Sequence, residues 1–336
     1  MRDDIKVSYN ITTEGDEDLA RYTDQADFLE FSKDFDGVEL MYFGDDERGI
    51  IPKDFVIGYH MTYYITWLDL WRGDMAALEG EFGSLEAAEA RFGGLDRQVI
   101  LDRFWGDMDH ARAYEPEYLV FHVAENYLDE SYTFQYSKSD EEVIDGVAEL
   151  LNILLEKEDG SVAFLMENLW EPGLNLRNPE MIQRLMDKVE YPNKGIMLDT
   201  GHLLHTNFDL ETQDQAVEFI HAKLDQLDEY GDLTRYIRGM HLHQSLTGEY
   251  CRSIQANPPQ DRDKPYQERL WSAYANAFKV DLHQPFTAAG VGSILERLPL
   301  EYLTFEFITG SREQHAQYLE DQWQALEGTL ERRNRI

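Results

Sequence analysis

Three features of the 336-residue sequence predict an α/β fold closed into a single (β/α)8 TIM barrel. Eight apolar runs of strand length recur along the whole chain. Most are continuous instead of alternating, as expected for parallel strands buried on both faces. Segments with helical periodicity lie between them. The competing architecture is a doubly wound open sheet, but no G-x-G-x-x-G turn follows the first run. The chain reads as one domain, 1–336, with two long loop insertions at about 61–117 and 245–280.

The elements follow in order. The first two runs are 5–9 and 37–42, and the third, 55–59, leads into His60. The first insertion then brings helix-like pieces and many aromatics. The fourth run, 118–123, carries His122. A helix starts at Ser139 with Glu142 in the capping-box place, and Val143, Val147, Leu150, Leu151 and Leu154 form its apolar face. The fifth run, 162–166, is followed by Glu167-Asn168. A helix after Asn178-Pro179 carries Met181, Leu185, Met186 and Val189. The sixth run, 195–198, continues into Asp199-Thr200-Gly201-His202. Thr212 and Gln215 repeat the capping pattern ahead of a stripe of Ala216, Val217, Ile220, Leu224 and Leu227. The seventh run, 236–242, contains His241. The second insertion holds Asn257-Pro258-Pro259 and a helical pattern near 266–278. The eighth run, 302–307, contains Glu306, and 312–326 is helical in pattern.

Composition narrows the function. There are 66 acidic and 30 basic residues, a net charge of −36. The charge fits a solvated acidic surface, as in a salt-rich cytoplasm where repulsion is screened. Nucleic-acid binding normally uses a basic face, and no Lys/Arg-rich stretch exists here. That argues against a nucleic-acid substrate unless metal ions offset the charge locally. No run of about 18 apolar residues suggests a membrane span. Met1-Arg2-Asp3-Asp4 opens no apolar leader, so the expected location is cytoplasmic. The one cysteine, Cys251, makes neither an internal disulfide nor a cysteine-based metal site. The sequence sets no oligomeric state.

Barrel enzymes carry their chemistry at the C-terminal ends of the strands. Six successive strands here end in or near His or a carboxylate: His60, His122, Glu167, Asp199 with His202, His241, and Glu306. Each alone reads as a hydrogen-bonded structural residue or a helix cap. Burying so many ionisable groups together is costly without a partner. A divalent cation supplies one, and imidazole with carboxylate suits Zn²⁺ first, with Mn²⁺ or Fe²⁺ also compatible.

"MENL", "MLDTGH" and "RGMHL" resemble the xylose isomerase-like TIM-barrel superfamily, roughly from Val56 to Phe307. That superfamily includes sugar isomerases, sugar epimerases and endonuclease IV. The ligand pattern is most similar to the endonuclease IV branch (AP endonuclease family 2), which carries three zinc ions. Its motifs match His60-Met61-Thr62-Tyr63, Val120-Phe121-His122, Glu167-Asn168, Asp199-Thr200-Gly201-His202, Arg238-Gly239-Met240-His241, Asp281-Leu282-His283 and Glu306. The resemblance implies nine metal ligands: His60, His122, Glu167, Asp199, His202, His241, Asp281, His283 and Glu306. It also implies a substrate contact at Tyr63. Two departures stand out. The branch has Asn-Asp where this chain has His243-Gln244, and its glycine-rich first-strand loop is replaced by Ser8-Tyr9-Asn10-Ile11-Thr12.

Two activities follow as expectations. The first is hydrolysis of a small-molecule phosphoester by metal-activated water at a centre of up to three ions, with Glu167 bridging ions or orienting the water. The second is isomerisation or epimerisation of a sugar or sugar phosphate on one ion. There Glu167 and Glu306 form the acid–base pair, and His202 contacts the substrate. Tyr63, Trp67 and His243 are the expected substrate-binding residues, Trp67 by stacking on a sugar ring; the alternative for the two aromatics is core or lid packing. A non-catalytic metal-binding module is the third class.

Overall fold

The computed structural model describes residues 4–13 and 18–332. Met1–Asp3, where the leader was sought, lie outside the described residues. Eight strands pair in parallel and in chain order, and the eighth closes on the first. They are β1 (Lys6–Thr12), β2 (Gly37–Met41), β3 (Val56–His60), β4 (Tyr118–His122), β5 (Ala163–Glu167), β6 (Lys194–Asp199), β7 (Ile237–Leu242) and β8 (Tyr302–Phe305). Each falls within a few residues of an apolar run. Among the described residues no helix is long and apolar enough to cross a membrane.

The period-two pleat sorts the side chains. Leu119, Phe121, Phe164, Met166, Ile196 and Leu198 join the large core beneath the helices. Residues of the opposite parity, Tyr118, Val120, Ala163, Leu165 and Met197, form a separate buried cluster with Ile57 and Tyr302. Two residues further along the same columns stand His122, Glu167 and Asp199. The barrel interior therefore changes from apolar to ionisable in one pleat step, at the strands' C-terminal ends.

Local chemistry fixes the helices around it. Ser139 and Thr212 both form capping boxes, with Glu142 and Gln215 reaching back to the caps. Asn178 caps the helix Pro179–Lys188, and Pro179 occupies its first turn. One glycine shapes the interior: a Cβ on Gly58 would lie 2.2 Å from the Tyr118 ring. Without it, the Tyr118 ring occupies this space, and its hydroxyl donates to Glu39 of β2 over 2.8 Å.

The insertions fold as helices. Leu68–Arg72, Met75–Phe82, Leu85–Phe92 and Gln98–Arg112 make the first, and Gly248–Ala256 and Tyr266–Val280 the second. The two meet. Phe82 and Tyr266 stack with ring centroids 4.0 Å apart. Arg269 donates to the Glu81 carbonyl at 2.8 Å and reaches the carboxylates of Glu81 and Asp129 at 3.2 Å.

Candidate metal centre

The nine residues expected as ligands come together at the mouth of the barrel. His60, His122, Glu167 and Asp199 are the last residues of β3 to β6, His241 lies in β7, and Glu306 directly follows β8. His202 sits in the short helix Thr200–Leu204, where Asp199 accepts the His202 backbone N–H at 2.6 Å. Asp281 and His283 follow the helix Tyr266–Val280. The Ser245 hydroxyl shapes that corner, donating to Asp281 Oδ1 (2.7 Å) and accepting from the backbones of Leu282 (2.8 Å) and His283 (3.2 Å). His283 itself takes φ 46°, a left-handed conformation uncommon outside glycine and held here by that corner.

Glu167 is the hub. Its Oε2 lies 3.1 Å from His60 Nε2 and 3.0 Å from His122 Nε2. Its Oε1 lies 3.1 Å from His202 Nδ1 and 3.5 Å from His241 Nδ1. His241 Nδ1 is also 3.2 Å from Glu306 Oε2 and 3.7 Å from Asp199 Oδ2. His202 Nε2 is 3.1 Å from Asp281 Oδ2. Among the described residues the donor atoms converge in five overlapping groups, two of which (Glu39, His60 and His241; Asp199, His243 and Glu306) link the other three. Of those three, one is His60, His122 and Glu167. The second is Glu167, Asp199 and His241, with Glu306 beside them. The third is His202, His243, Asp281 and His283.

The residues fit divalent cations on their own chemistry. Among the described residues, Glu167 Oε1, His122 Nδ1, His241 Nδ1, His243 Nδ1 and Glu306 Oε2 are buried without a hydrogen-bond partner. Orphaned buried acceptors of this kind are costly, and an ion satisfies several at once. Outer partners orient two rings. His60 Nδ1 bonds the Met61 carbonyl at 2.9 Å, turning Nε2 toward Glu167. His241 Nε2 lies 2.9 Å from a Glu39 carboxylate oxygen, turning Nδ1 inward.

Burial opposes ionisation throughout the cluster, and the opposite charges outweigh it at most positions. Burial raises the Glu167, Asp199 and Asp281 carboxyls, yet the surrounding histidines hold all three well below the usual carboxylate range. Burial lowers His202 and His241, yet the facing carboxylates hold both well above the ordinary imidazole value. At His122 and His283 burial prevails and the pKa falls, which favours the neutral ring that a metal takes.

Of the expected substrate contacts, Tyr63 packs edge-on to His122 with centroids 4.9 Å apart. Trp67 does not reach the centre: it belongs to the core and donates its indole N–H to the Ala124 carbonyl at 3.1 Å. Its place is that of the packing alternative. His243, expected to contact substrate, stands inside the third ligand group. Sequence reasoning missed Glu39, His205 and Glu171. His205 Nε2 lies 3.5 Å from Asp281 Oδ1. Burial lifts Glu171 to about 7, with His202 and Asp281 among the charges acting on it. Glu171 and His205 each follow a motif by a few residues, which is the signal that marks them, whereas Glu39 lies inside β2 away from any motif.

A family profile described as xylose isomerase-like TIM barrel matches residues 33–277. A probable endonuclease 4 from Chlorobium luteolum is 32% identical over 108 residues; the match covers 32% of this chain and 37% of that protein. Among solved structures, a 3-keto-D-glucoside 4-epimerase from E. coli is 12% identical with a TM-score of 0.46, covering 96% of this chain and 98% of its own. The IolI protein with a bound zinc atom is 13% identical with a TM-score of 0.47, covering 97% and 96%. Similarity at these levels says nothing about substrate. The profile match spans well over half of the sequence, and the chain belongs to the xylose isomerase-like TIM-barrel family.

Proposed function

We propose that this mouth is a multinuclear divalent-metal centre that hydrolyses a phosphoester of a small molecule. The observation that carries the reading is the convergence of several overlapping donor groups, two of which share Glu167. An isomerase working on one ion needs only Glu167, Asp199, His241 and Glu306, and leaves His60, His122, Asp281 and His283 without a purpose. Divalent ions held by these residues would bring the pKa of water to about 7 and would stabilise the oxygens of an in-line displacement.

The chain's own residues do the rest. His60 and His122 face one oxygen of Glu167 while His202 and His241 face the other, which suits Glu167 to a bridging place. The side chains of His122, His283 and Glu306 are the more open of the set, at 13%, 12% and 10% exposure, and mark where substrate enters. Tyr63 walls that side. The two joined insertions and the net charge of −36 favour a small substrate over a duplex. Zinc is the first choice of metal, and manganese or iron suits the same donors.

The test is elemental analysis of metal-loaded protein alongside a panel of phosphomonoesters, phosphodiesters and ketoses. The expected result is two or three ions per chain with phosphoester hydrolysis, and loss of that activity in Asp281→Ala. One ion per chain with interconversion of a ketose, retained in Asp281→Ala, establishes the isomerase instead.

A further inference from the structure

We propose that His243 is a fourth protein ligand of the position formed by His202, Asp281 and His283, and that residue 201 is glycine to admit it. The proposal rests on the metal-centre reading above and assigns His243 a role other than substrate contact.

Four observations point the same way. His243 is fully buried. Its Nε2 lies 2.9 Å from Asp199 Oδ2, so the ring proton is held there and Nδ1 presents a bare lone pair. That Nδ1 has no hydrogen-bond partner among the described residues and lies 3.9 Å from Asp281 Oδ1. Its ring lies parallel to His283, with centroids 4.1 Å apart at 10°, and edge-on to His202 at 5.9 Å. One donor atom from each of the four residues lies within 4.8 Å of the others. A residue serving only as a hydrogen-bond donor to Asp199 would leave Nδ1 buried and unsatisfied, a cost that ligation removes.

Gly201 supplies the independent observation. A Cβ there would sit 2.0 Å from His243 Cε1 and 2.4 Å from Nδ1. Any side chain at 201 displaces the ring from its place beside His283. Glycine at 201 and histidine at 243 are therefore one device, built from the turn after β6 and the end of β7.

The consequence is a division of labour. Catalytic zinc sites keep a position open for water or substrate, whereas four protein ligands close the shell. With His243 the third position is structural, and it pins the segment after Tyr266–Val280 to the barrel. The open positions lie around Glu167. Because His243 also donates to Asp199, the structural position orients a ligand of its neighbour.

The test uses the full-length protein, stripped with a chelator, reloaded with Zn²⁺ and separated from free metal before elemental analysis. The set is wild type, His243→Asn, Gly201→Ala, His283→Ala and the His243→Asn/His283→Ala double variant. Circular dichroism of the metal-free proteins checks that each folds. The expected result is three ions in the wild type and two in His283→Ala; His243→Asn and Gly201→Ala keep three protein ligands at the third position and lose that ion to chelator well before the wild type does. The double variant also holds two, because both residues serve one ion. Co²⁺ loading adds a spectroscopic readout: the visible ligand-field band assigned to the third ion is shifted and weaker in His243→Asn and Gly201→Ala, where water takes the vacated place, and absent from both variants that lack His283. A wild type with three ions beside a His243→Asn protein that also holds three, with unchanged resistance to chelator, overturns the role of His243 alone. A double variant with one ion assigns His243 to the Asp199 position and overturns the proposal. A wild type with two ions overturns the fourth ligand and leaves the multinuclear reading standing. A wild type with one overturns both.

Discussion

His315 is a buried imidazole with no role at the centre, and it sets a measurable acid sensitivity. Its ring packs against Tyr9 and Phe31, with centroids 5.2 and 5.6 Å away, and neither nitrogen finds a hydrogen-bond partner among the described residues. Burial, aided by the charge of Arg21, lowers its pKa to about 3. The unfolded chain takes up the proton near the ordinary value of about 6.5. Between those two values the unfolded state binds more protons than the folded state, so stability falls as pH drops from about 6.5 toward 3. The loss attributable to this group is about 2 kcal/mol near pH 5. His315→Phe keeps the ring packing and removes the titration. Urea unfolding at neutral and mildly acidic pH is expected to show wild type losing about 2 kcal/mol more than the variant. Equal losses in the two would show that His315 does not govern the acid limb. At this same scale the sequence was legible wherever an ionisable residue ended an apolar run, as at His60, His122, Glu167 and Asp199. Glu39 escaped because it interrupts the middle of Gly-Val-Glu-Leu-Met, where an isolated carboxylate reads as noise. Its partners Tyr118, Thr304 and His241 come from strands far along the chain. The period of two put His243 on the face of His241. The room Gly201 leaves for its ring is a contact between segments that no local pattern encodes.

Elements were legible in proportion to how local their signals are. The strand runs, the two capping boxes and the Asn178-Pro179 start all came through, because each is decided within a few residues. The short helices of the first insertion carry a comparable signal, since Gly73, Gly83 and Gly93 each end one with positive φ (71°, 83° and 86°). Their docking does not. Glu81 and Arg269 are 188 residues apart, and nothing near either one names the other. That pair makes the joined insertions testable. Arg269 is 6% exposed, and burial raises the Glu81 carboxyl despite the facing guanidinium. Removing one partner of such a pair leaves an uncompensated buried charge, at about 3–5 kcal/mol. Arg269→Met is expected to lower stability by that amount. Limited proteolysis should then cut within the insertions before the barrel. The Glu81→Gln/Arg269→Met double variant should recover part of the loss, since it buries no lone carboxylate. A double variant as unstable as the sum of its parts would mean the two residues act independently.

For the whole molecule, charge governs behaviour that no single contact explains. With 66 acidic residues against 30 basic ones, carboxylates outnumber cations by more than two to one, and their mutual repulsion favours the expanded chain. Ion pairs such as Arg184 with Asp145 and Arg297 with Asp228 offset little of this, because exposed pairs contribute at most about 1 kcal/mol each. Salt acts on the two terms in opposite directions. Going from about 0.1 M to about 1 M shortens the screening length from about 10 Å to about 3 Å. That weakens repulsion between distant carboxylates and also weakens surface pairs, while the buried centre is screened far less. Since repulsion involves many more charges than pairing, the melting temperature is expected to rise with sodium chloride. Sodium chloride is the salt to use because sulfate would strengthen apolar burial as well. The rise should be present in metal-free and metal-loaded protein alike, which separates surface screening from filling of the barrel mouth. A melting temperature that falls with sodium chloride would show that ion pairing outweighs repulsion, and that the acidic surface is neutralised by its own few cations.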